Sequence, residues 1–357
     1  MKSKIPSHAI PGLILSFSLL SVGCKEDVVE VDAPTNPRDY TFTVDTLSQT
    51  DLYDIAGTSP QNVFAIGSPR GSLANSIVHY DGTSWKTTGF SSDEGGPIAG
   101  PADPSSILVR STSDVWVVGG RWRPNRTPPP NYIDSGFILH FNGWTWQEFV
   151  VPGARTLMKI HGRAPNDIWA CGGHGTMLHY DGVRWAQDSI PLSFSQDWYF
   201  YFNEVTTTTT GDVYALGSAS LAGGPNTYYF FRRRSGTWAV VDSFPGKGPD
   251  YLRWGTSALW ASPSGKLYSG GPGVYRWDDP HWVKLFDTHF AVANIWGFSD
   301  DNFFVGGFSS LLHFNGRDLY QYPELKGNFV FWGFWGNGKE LFALAPDSYR
   351  TFIYHGR

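Results

Sequence analysis

Histidine recurs at one place in a repeated sequence pattern, at His79, His140, His179 and His313, and imidazole is a common metal ligand. A shared zinc ion would need each nitrogen within about 2.0 to 2.1 Å, which residues from separate repeats of a folded array cannot provide. We therefore expect each histidine to form a hydrogen bond inside its own repeat, and we predict neither a metal nor a cofactor.

The recurring acidic positions and the internal cysteine also have structural explanations. Asp and Asn cap their own backbone in tight turns, which is what we expect of Asp114, Asp167, Asp212 and Asn302. Cys171 lies in the apolar run IWACGG, and these surroundings are typical of a buried, inert thiol.

The longest departure from the repeat pattern is rich in residues that bind ligands. It holds Arg121, Trp122, Arg123 and Arg126, then a run of prolines and Tyr132. Arginine beside an exposed tryptophan suits contacts with sugar rings or protein surfaces, and prolines reduce the entropy lost on ordering a loop. We predict a ligand-binding loop here; the alternative is a loop that only covers a neighbouring repeat.

A second candidate is the aromatic run of Trp198, Tyr199, Phe200 and Tyr201. Side chains alternate between the two faces of a strand, so half of this run is expected in the core. The other half would form a platform for a ligand.

A third candidate lies at positions expected to line a central channel, which would form if the sequence repeats described below were arranged in a ring. Large polar side chains replace small ones there at Arg110, Lys159, His161, Arg163 and Glu204, and a column of tryptophans is expected at Trp260, Trp296 and Trp332. A mixed polar and aromatic lining suits an anionic or sugar-like ligand, and the alternative is a water-filled channel.

Catalytic signatures are absent from the sequence. It contains no G-x-S-x-G elbow, no H-E-x-x-H, no phosphate-binding G-x-x-x-x-G-K-[ST], no C-x-x-C and no S-x-D-x-G-x-T-W box. This argues against an enzyme without excluding one, because propeller hydrolases and lyases assemble scattered side chains at the mouth of the channel.

The elements that position these residues are repeated strands. LYDIAGTSPQNVFAIG followed by SIVHYDGTSW, from Leu52, returns from Leu157 as LMKIHGRAPNDIWACGGHGTMLHYDGVRW. Each copy predicts four short strands of one antiparallel sheet, with Asp-Gly or Asn-Gly in a two-residue hairpin before the fourth. Seven second strands are predicted, at Val63, Val115, Ile168, Val213, Leu267, Phe303 and Leu341.

The last repeat stops after its third strand, at Arg357, whereas an unassigned strand pattern, Tyr40–Val44, precedes the first repeat. We predict an all-β, seven-bladed β-propeller over residues 40–357, whose last blade is closed by this N-terminal strand. Such closure leaves no open edge. Six or eight blades are the alternatives, because repeats four and five diverge most.

These repeats resemble the D-V-W-A-V-G…H-Y-D-G-x-x-W units of tectonin-like and WD40-like propellers of bacterial secreted and surface proteins. The resemblance covers the chain after residue 40. It implies binding or scaffolding more often than catalysis, and it transfers no active-site residue.

Residues 1–23 have the order of a secretory signal. Lys2 and Lys4 precede an apolar stretch too short to span a bilayer, and Ser21-Val22-Gly23 then leads to Cys24. This resembles the lipobox of bacterial lipoproteins, with Ser21 in a place where Leu is usual, as in the looser Bacteroidetes-type variants. It implies lipid attachment at Cys24; ordinary secretion is the alternative.

Residues 24–39 are predicted to be an acidic tether, because they hold too little apolar surface to pack. Lys25-Glu26-Asp27 resembles the signal that sends such lipoproteins to the outer face of the outer membrane, which implies a surface-exposed, lipid-anchored domain. The simpler interpretation is a solvated linker that carries no export signal.

Charge excludes one class of partner. The chain has 27 Lys and Arg against 32 Asp and Glu, a net charge of −5, whereas nucleic-acid affinity comes from clustered positive charge. We therefore expect a monomeric surface propeller that binds a glycan or a protein without catalysis. The alternatives are a polysaccharide hydrolase or lyase using channel residues such as His161, Arg163 and Glu204, and a structural subunit of an envelope complex.

Overall fold

The computed structural model describes residues 36–48, 50–69, 77–88, 102–124, 132–192, 198–221, 224–247, 253–347 and 349–357. These residues form seven four-stranded antiparallel sheets arranged as a seven-bladed β-propeller. The predicted fold class and blade number are confirmed. The predicted signal, Cys24 and most of the tether lie outside the described residues.

The strands follow the chain from the channel outward within each blade. Blade one contains β2 (Thr50–Ser59), β3 (Asn62–Pro69), β4 (Ile77–Tyr80) and β5 (Trp85–Thr88). Blade two contains β6 (Asp103–Ser111), β7 (Asp114–Pro124), β8 (Tyr132–Phe141) and β9 (Trp146–Phe149). Blade three contains β10 (Leu157–Ala164), β11 (Asp167–Gly172), β12 (Met177–Tyr180) and β13 (Trp185–Gln187).

The later blades repeat this order. Blade four contains β14 (Trp198–Thr207), β15 (Val213–Leu221), β16 (Asn226–Arg234) and β17 (Thr237–Pro245). Blade five contains β18 (Ala258–Ala261), β19 (Leu267–Gly270), β20 (Gly273–Asp278) and β21 (His281–Asp287). Blade six contains β22 (Val292–Ser299), β23 (Asn302–Gly307), β24 (Ser310–Phe314) and β25 (Leu319–Gln321), and blade seven β26 (Gly333–Gly336), β27 (Leu341–Pro346), β28 (Arg350–Gly356) and β1 (Phe42–Ser48).

The core lies between neighbouring blades, and the second strands show why. Along β11, Ile168 and Ala170 pack against blade two, whereas Trp169 and Cys171 pack against blade four. Strand alternation thus divides one continuous apolar run between two interfaces. Cys171 is fully buried, as predicted, and burial raises the pKa of its thiol well above the ordinary value.

The recurring histidines bond within their blades, as predicted. Nε2 of His179 lies 3.0 Å from Oδ1 of Asp167, and its ring stacks on Trp169 at 4.1 Å between centroids. Asp167 also accepts the indole N–H of Trp169 at 2.8 Å. The expectation that these acids cap their own backbone is therefore wrong for Asp167, because its carboxylate binds side chains of the blade.

The same arrangement recurs in other blades. In blade two, Asp114 accepts from Trp116 at 2.7 Å and lies 2.9 Å from His140. Asn62 and Asn302 pair with His79 and His313 at 2.9 Å. In blade four, Asp212 binds Arg234 instead.

The hairpin before the fourth strand of blade one differs from the predicted two-residue form, whereas blade four keeps that form at Ser235-Gly236, with φ of 50° and 83°. Residues 81–84 connect β4 and β5, and Oδ1 of Asp81 accepts the backbone N–H groups of Thr83 and Ser84 at 3.0 Å. Only the glycine has positive φ, 94° at Gly82. Aspartate serves here because its side chain caps the turn, and glycine because it reaches the left-handed region.

The ring closes through the two ends of the propeller. β1 pairs with β28 in continuous antiparallel register from Phe42–Gly356 to Ser48–Arg350, which confirms the predicted closure. The strand begins two residues later than expected, because Tyr40 turns into the core and donates its hydroxyl to the Gly338 carbonyl at 3.2 Å. Asn36 caps the short 3-10 helix Pro37–Asp39 that precedes it.

The propeller has two unlike faces. The turn face carries the first-to-second and third-to-fourth connections, which are short, such as residues 112–113 and 181–184. The variable face carries the second-to-third and blade-to-blade connections, which differ widely in length, from residues 308–309 to residues 89–102.

The closing strand gives a stability prediction. A chain that starts at Thr50 lacks β1 and leaves β28 as an open edge, so we expect its melting temperature to fall by at least about 10 °C and the protein to self-associate. A chain that starts at Asn36 is the control and should melt like the full-length protein. Equal melting temperatures for the two truncations, measured by calorimetry, would contradict closure by β1.

Candidate functional site

The first strands of the blades surround a central channel that contains two cavities. The outer cavity, about 440 Å³, opens on the variable face and is lined by residues such as Tyr53, Met158 and Trp332. The inner cavity, about 450 Å³, extends toward the turn face as far as Arg163 and Pro263. Both volumes are large enough for a small ligand.

Irregular pairing of the first strands gives the outer cavity its side chains. Toward the variable face, the register of β2, β6, β10, β14 and β22 with their second strands skips one residue, and all of these strands except β14 skip a second residue near the turn face. The residues skipped toward the variable face are Tyr53, Ser105, Met158, Asn203 and Ala293, and those skipped near the turn face are Thr58, Arg110, Arg163 and Phe298. A β-bulge of this kind redirects side chains, so that neighbours such as Met158 and Lys159 both line the cavity instead of pointing to opposite faces.

Polar side chains follow directly after these bulges. We call them the polar belt: Asp54, Ser106, Lys159, Glu204 and Asn294. Four of them, all except Ser106, line both cavities. The belt therefore separates the outer cavity from the inner one.

Asp54 links the first two blades. Its Oδ2 accepts the hydroxyl of Ser106 at 2.7 Å and the backbone N–H of Ile107 at 3.1 Å. Its Oδ1 accepts the backbone N–H of Ile55 at 3.0 Å. Each carboxylate oxygen thus has a donor, as a buried anion requires.

Lys159 and Glu204 link blades three and four. Nζ of Lys159 lies 3.7 Å from Oε2 of Glu204, which is beyond hydrogen-bond length. Burial raises the pKa of Glu204 to about 7, against the opposing effect of Lys159. Burial opposes the charge of Lys159, but the carboxylates of Glu204 and Asp54 raise its pKa above the ordinary value. The pair therefore consists of a permanent cation and a carboxyl group that titrates near neutrality.

His161 and Arg163 of β10 line the inner cavity below the belt, and the register with β11 skips Arg163. Nδ1 of His161 accepts the backbone N–H of Thr207 at 3.1 Å, so the proton of the neutral ring is on Nε2. Burial, with Arg163 and Lys159 nearby, lowers its pKa to about 4. Arg163 donates Nε to the Thr207 carbonyl at 2.9 Å and Nη2 to the Ser262 carbonyl at 3.4 Å, which ties together blades three, four and five.

Trp332 at the rim is exposed yet held in place. Its side chain is 45% exposed, while its backbone N–H donates to the Leu344 carbonyl at 3.1 Å and its carbonyl accepts Nδ2 of Asn294 at 2.5 Å. Tyr53 and Met158 are also exposed at this rim. An aromatic surface on a fixed backbone loses little entropy on binding.

The structure disperses the residues that the sequence grouped in the insertion of blade two. Arg121 is buried, paired with Glu148 and placed over the ring of Phe137, so it is not a surface residue. The side chains of Trp122, Arg123 and Tyr132, and all of Arg126, lie outside the described residues.

The aromatic run of blade four alternates as predicted. Phe200 and Phe202 are buried between blades, whereas Tyr199 and Tyr201 are exposed on the variable face. The side chain of Trp198 lies outside the described residues. Arg110 pairs with Asp114 of its own hairpin, Nε to Oδ2 at 3.1 Å, and does not line either cavity.

The prediction that three tryptophans share one level of the channel is wrong for Trp332, whose place is taken by Trp335. Trp260, Trp296 and Trp335 pair with equivalent residues of their second strands and all line the inner cavity. Trp332 lies one level higher, at the outer cavity. Each bulge adds one residue to its strand, so the residues after it are one position away from where strict alternation of side chains would put them.

Sequence reasoning missed Tyr53, Asp54, Met158, Asn203 and Asn294. A signal for them exists: the buried pairs Leu52/Ile55, Leu157/Ile160 and Val292/Ile295 are separated by an odd number of positions. Regular alternation requires an even separation, so each odd one marks a bulge.

Comparisons with known proteins identify the fold. No protein-family model and no curated protein matches the sequence. The WD40 domain of Neurospora crassa Pan2 superimposes with a TM-score of 0.55 at 10% identity, over 91% of this chain and 97% of that one. The sialidase of Trypanosoma rangeli gives a TM-score of 0.48 at 10% identity, and the match covers 86% of this chain but only 54% of the sialidase. At 10% identity, the likeness to the Pan2 domain shows the propeller fold and nothing of activity.

Neither a metal-binding cluster nor a membrane-spanning helix occurs among the described residues. No group of three or more His, Cys, Asp and Glu side chains in this part of the chain is placed to hold a metal ion. No helix within the same ranges is long and apolar enough to cross a membrane.

The raised pKa of Glu204 predicts a pH-dependent stability. Below about pH 4 the group is protonated in both states and costs nothing; between about pH 4.5 and 7 only the unfolded chain releases its proton, so stability falls as pH rises. Glu204→Gln removes this loss. Relative to wild type, its free energy of unfolding should rise by about 3 kcal/mol between pH 4 and pH 8 in urea titrations.

Glu324→Gln, at an exposed carboxyl, is the matched control and should show no such trend. A constant difference between Glu204→Gln and wild type across this pH range would refute the raised pKa.

Proposed function

We propose that this chain is a lipid-anchored outer-membrane protein of the cell surface, whose propeller binds a glycan at the outer cavity without catalysing a reaction. In this proposal residues 1–23 are a signal peptide, Cys24 carries the lipid, residues 24–39 are a tether, and residues 40–357 are the binding domain. The tether would hold the variable face clear of the lipid headgroups.

The observation that carries the proposal is the composition of the outer cavity. Aromatic side chains, Tyr53 and Trp332, form the rim, and amide and carboxyl groups of Asn203, Glu204 and Asn294 form the lining. Sugars present apolar C–H faces and hydroxyl groups, so they need flat apolar surfaces beside a few hydrogen-bonding groups.

The wider surface supports the same choice of face. Exposed aromatic residues gather on the variable face, at Tyr53, Tyr199, Tyr201, Phe308, Trp332 and Tyr349. Among the described residues the turn face exposes one large aromatic side chain, Trp144. Tyrosine and tryptophan dominate binding surfaces because they bury a large area for few rotatable bonds.

The state of the channel residues favours binding over catalysis. His161 uses Nδ1 to hold the backbone of blade four, and Arg163 bridges carbonyls of two blades. Both act as ties between blades, and Asp54 is held by three hydrogen bonds, which leaves Glu204 as the belt carboxyl available for chemistry. A hydrolase would need a second acid or base placed across the substrate.

The glycan site is tested by replacing its aromatic rim. Trp332→Ala should weaken binding of the preferred glycan on an array, and by calorimetry, by at least about tenfold, because a held aromatic surface is lost. Its backbone bonds to Leu344 and Asn294 do not involve the indole, so the fold should persist. Trp144→Ala is the control, since Trp144 is 90% exposed on the opposite face.

Three outcomes would count against this site. Equal loss in both variants would indicate a general effect of removing a tryptophan. A silent array together with a stoichiometric protein in a pull-down would favour an envelope partner, and release of reducing ends from polysaccharides would favour the enzyme.

The anchor is tested separately from the ligand. We expect Cys24→Ser to abolish labelling by a palmitate analogue and to release the protein from the membrane fraction, because the thiol is the predicted point of attachment. Protease added to intact cells should digest the wild-type domain. Protection of the domain until the cells are lysed would contradict an outward orientation.

A further inference from the structure

The inner cavity is a second candidate site, distinct in chemistry and position from the glycan site. Trp260, Trp296 and Trp335 lie at one level of the channel and line it. His161 occupies the same level on β10, paired with Trp169. The exposed mouth of this cavity, at Arg163 and Pro263, is on the turn face.

The aromatic lining fixes the shape of an occupant. Trp296 meets Phe298 edge to face at 5.0 Å between centroids, so a neighbouring ring supports its indole. Trp335 packs against Phe342 at 6.0 Å and Trp260 against Tyr268 at 5.3 Å, with the ring planes tilted by 40° and 32°. A flat apolar group fits between supported aromatic rings better than a flexible chain does.

The charged side chains of the inner cavity determine which charge an occupant should carry. Lys159 and Arg163 contribute two cations to this cavity, against the carboxylate of Asp54 and the carboxyl of Glu204. Asp54 already accepts three hydrogen bonds. Among the described residues, Arg163 has carbonyl partners and no carboxylate within ion-pair distance. With Glu204 protonated, the cavity therefore has one positive charge in excess and suits an anion.

The donors meet at Thr207. Nδ1 of His161 accepts the backbone N–H of this residue and Nε of Arg163 donates to its carbonyl, so the two side chains lie side by side although the register with β11 skips Arg163. With Nδ1 of His161 occupied by Thr207, Nε2–H is the ring's donor toward the channel. An imidazole N–H and a guanidinium that lie side by side can hold one carboxylate between them.

We propose that the inner cavity binds a small aromatic carboxylate, with its ring between the tryptophans and its carboxylate on His161 and Arg163. The ligand enters from the turn face, so its binding does not require the glycan site. The polar belt forms the floor of the site.

Binding should depend on pH through Glu204. The groups that face Glu204 are Asp54 of β2, Lys159 of β10 and Cys171 of β11; β18 has no titratable side chain, and β15 has only Tyr214, which bonds to Asp212. Protonation of Glu204 removes a negative charge from the floor of the cavity. An anion should therefore bind about fivefold more tightly at pH 6 than at pH 8.

Calorimetry with the purified full-length protein tests the site. The probes are 2-naphthoate and its neutral isostere 2-naphthamide. We expect 2-naphthoate to bind with one-to-one stoichiometry and a Kd below about 1 mM, and the amide to bind at least about tenfold more weakly. No heat with 2-naphthoate up to that concentration, or equal affinity for the amide, would overturn the proposal.

Variants assign the residues. Arg163→Gln should lower affinity at least about tenfold, with partial rescue by Arg163→Lys, because the positive charge returns without the fork of donors. Arg184→Gln removes an exposed arginine of the turn face and should bind like wild type. Glu204→Gln should bind the same at pH 6 and pH 8. Full affinity in a folded Arg163→Gln protein, verified by its melting temperature, would overturn the assignment.

Discussion

Pairing of β1 with β28 is the constraint on which the rest of this structure depends. It joins the first strand of the described residues to the last one, so the ring of blades has no free edge and the first strands are held around one axis. Tyr322 strengthens the joint, since its hydroxyl donates to the Pro37 carbonyl at 2.8 Å. A channel with a fixed diameter follows from this closure, and every proposed site lies in that channel or at its mouth.

Within the closed ring, the bulges decide what the channel contains. A regular strand offers every second side chain to the axis, whereas a bulge offers two in succession. Asn203 and Glu204 illustrate the result, because both line the outer cavity while Phe202 and Val205 on either side stay buried between blades. The propeller thus gains polar groups in its channel without removing apolar residues from the interfaces between blades.

Sequence and structure agree where a residue's role follows from local periodicity. The repeats, the missing fourth strand and the strand pattern near Tyr40 were enough to predict seven blades and their closure, because each element repeats a pattern seen elsewhere in the chain. Site residues were harder. Arg121 was predicted at the surface, but Glu148 on a strand two removed provides a buried partner, which is a tertiary contact without local signal.

The β-bulges show most clearly which features of the site could not be predicted from the sequence. Tyr53, Met158, Asn203 and Ala293 occupy equivalent places yet share no residue type, because the position demands an extra residue and not a particular side chain. Only the odd spacing of the buried neighbours marks them. A period of two applied without that correction put Trp332 at the level of Trp260 and Trp296, a place that belongs to Trp335.

Amide hydrogen exchange on the intact protein tests the closure of the ring most directly. If β1 completes the last blade, amides of Thr43 to Leu47 that face β28 should exchange as slowly as those of Ala343 and Leu344 in the neighbouring strand β27. Exchange of the whole Phe42–Ser48 segment at the rate of an unstructured peptide, with β27 still protected, would contradict the closed ring and the channel derived from it.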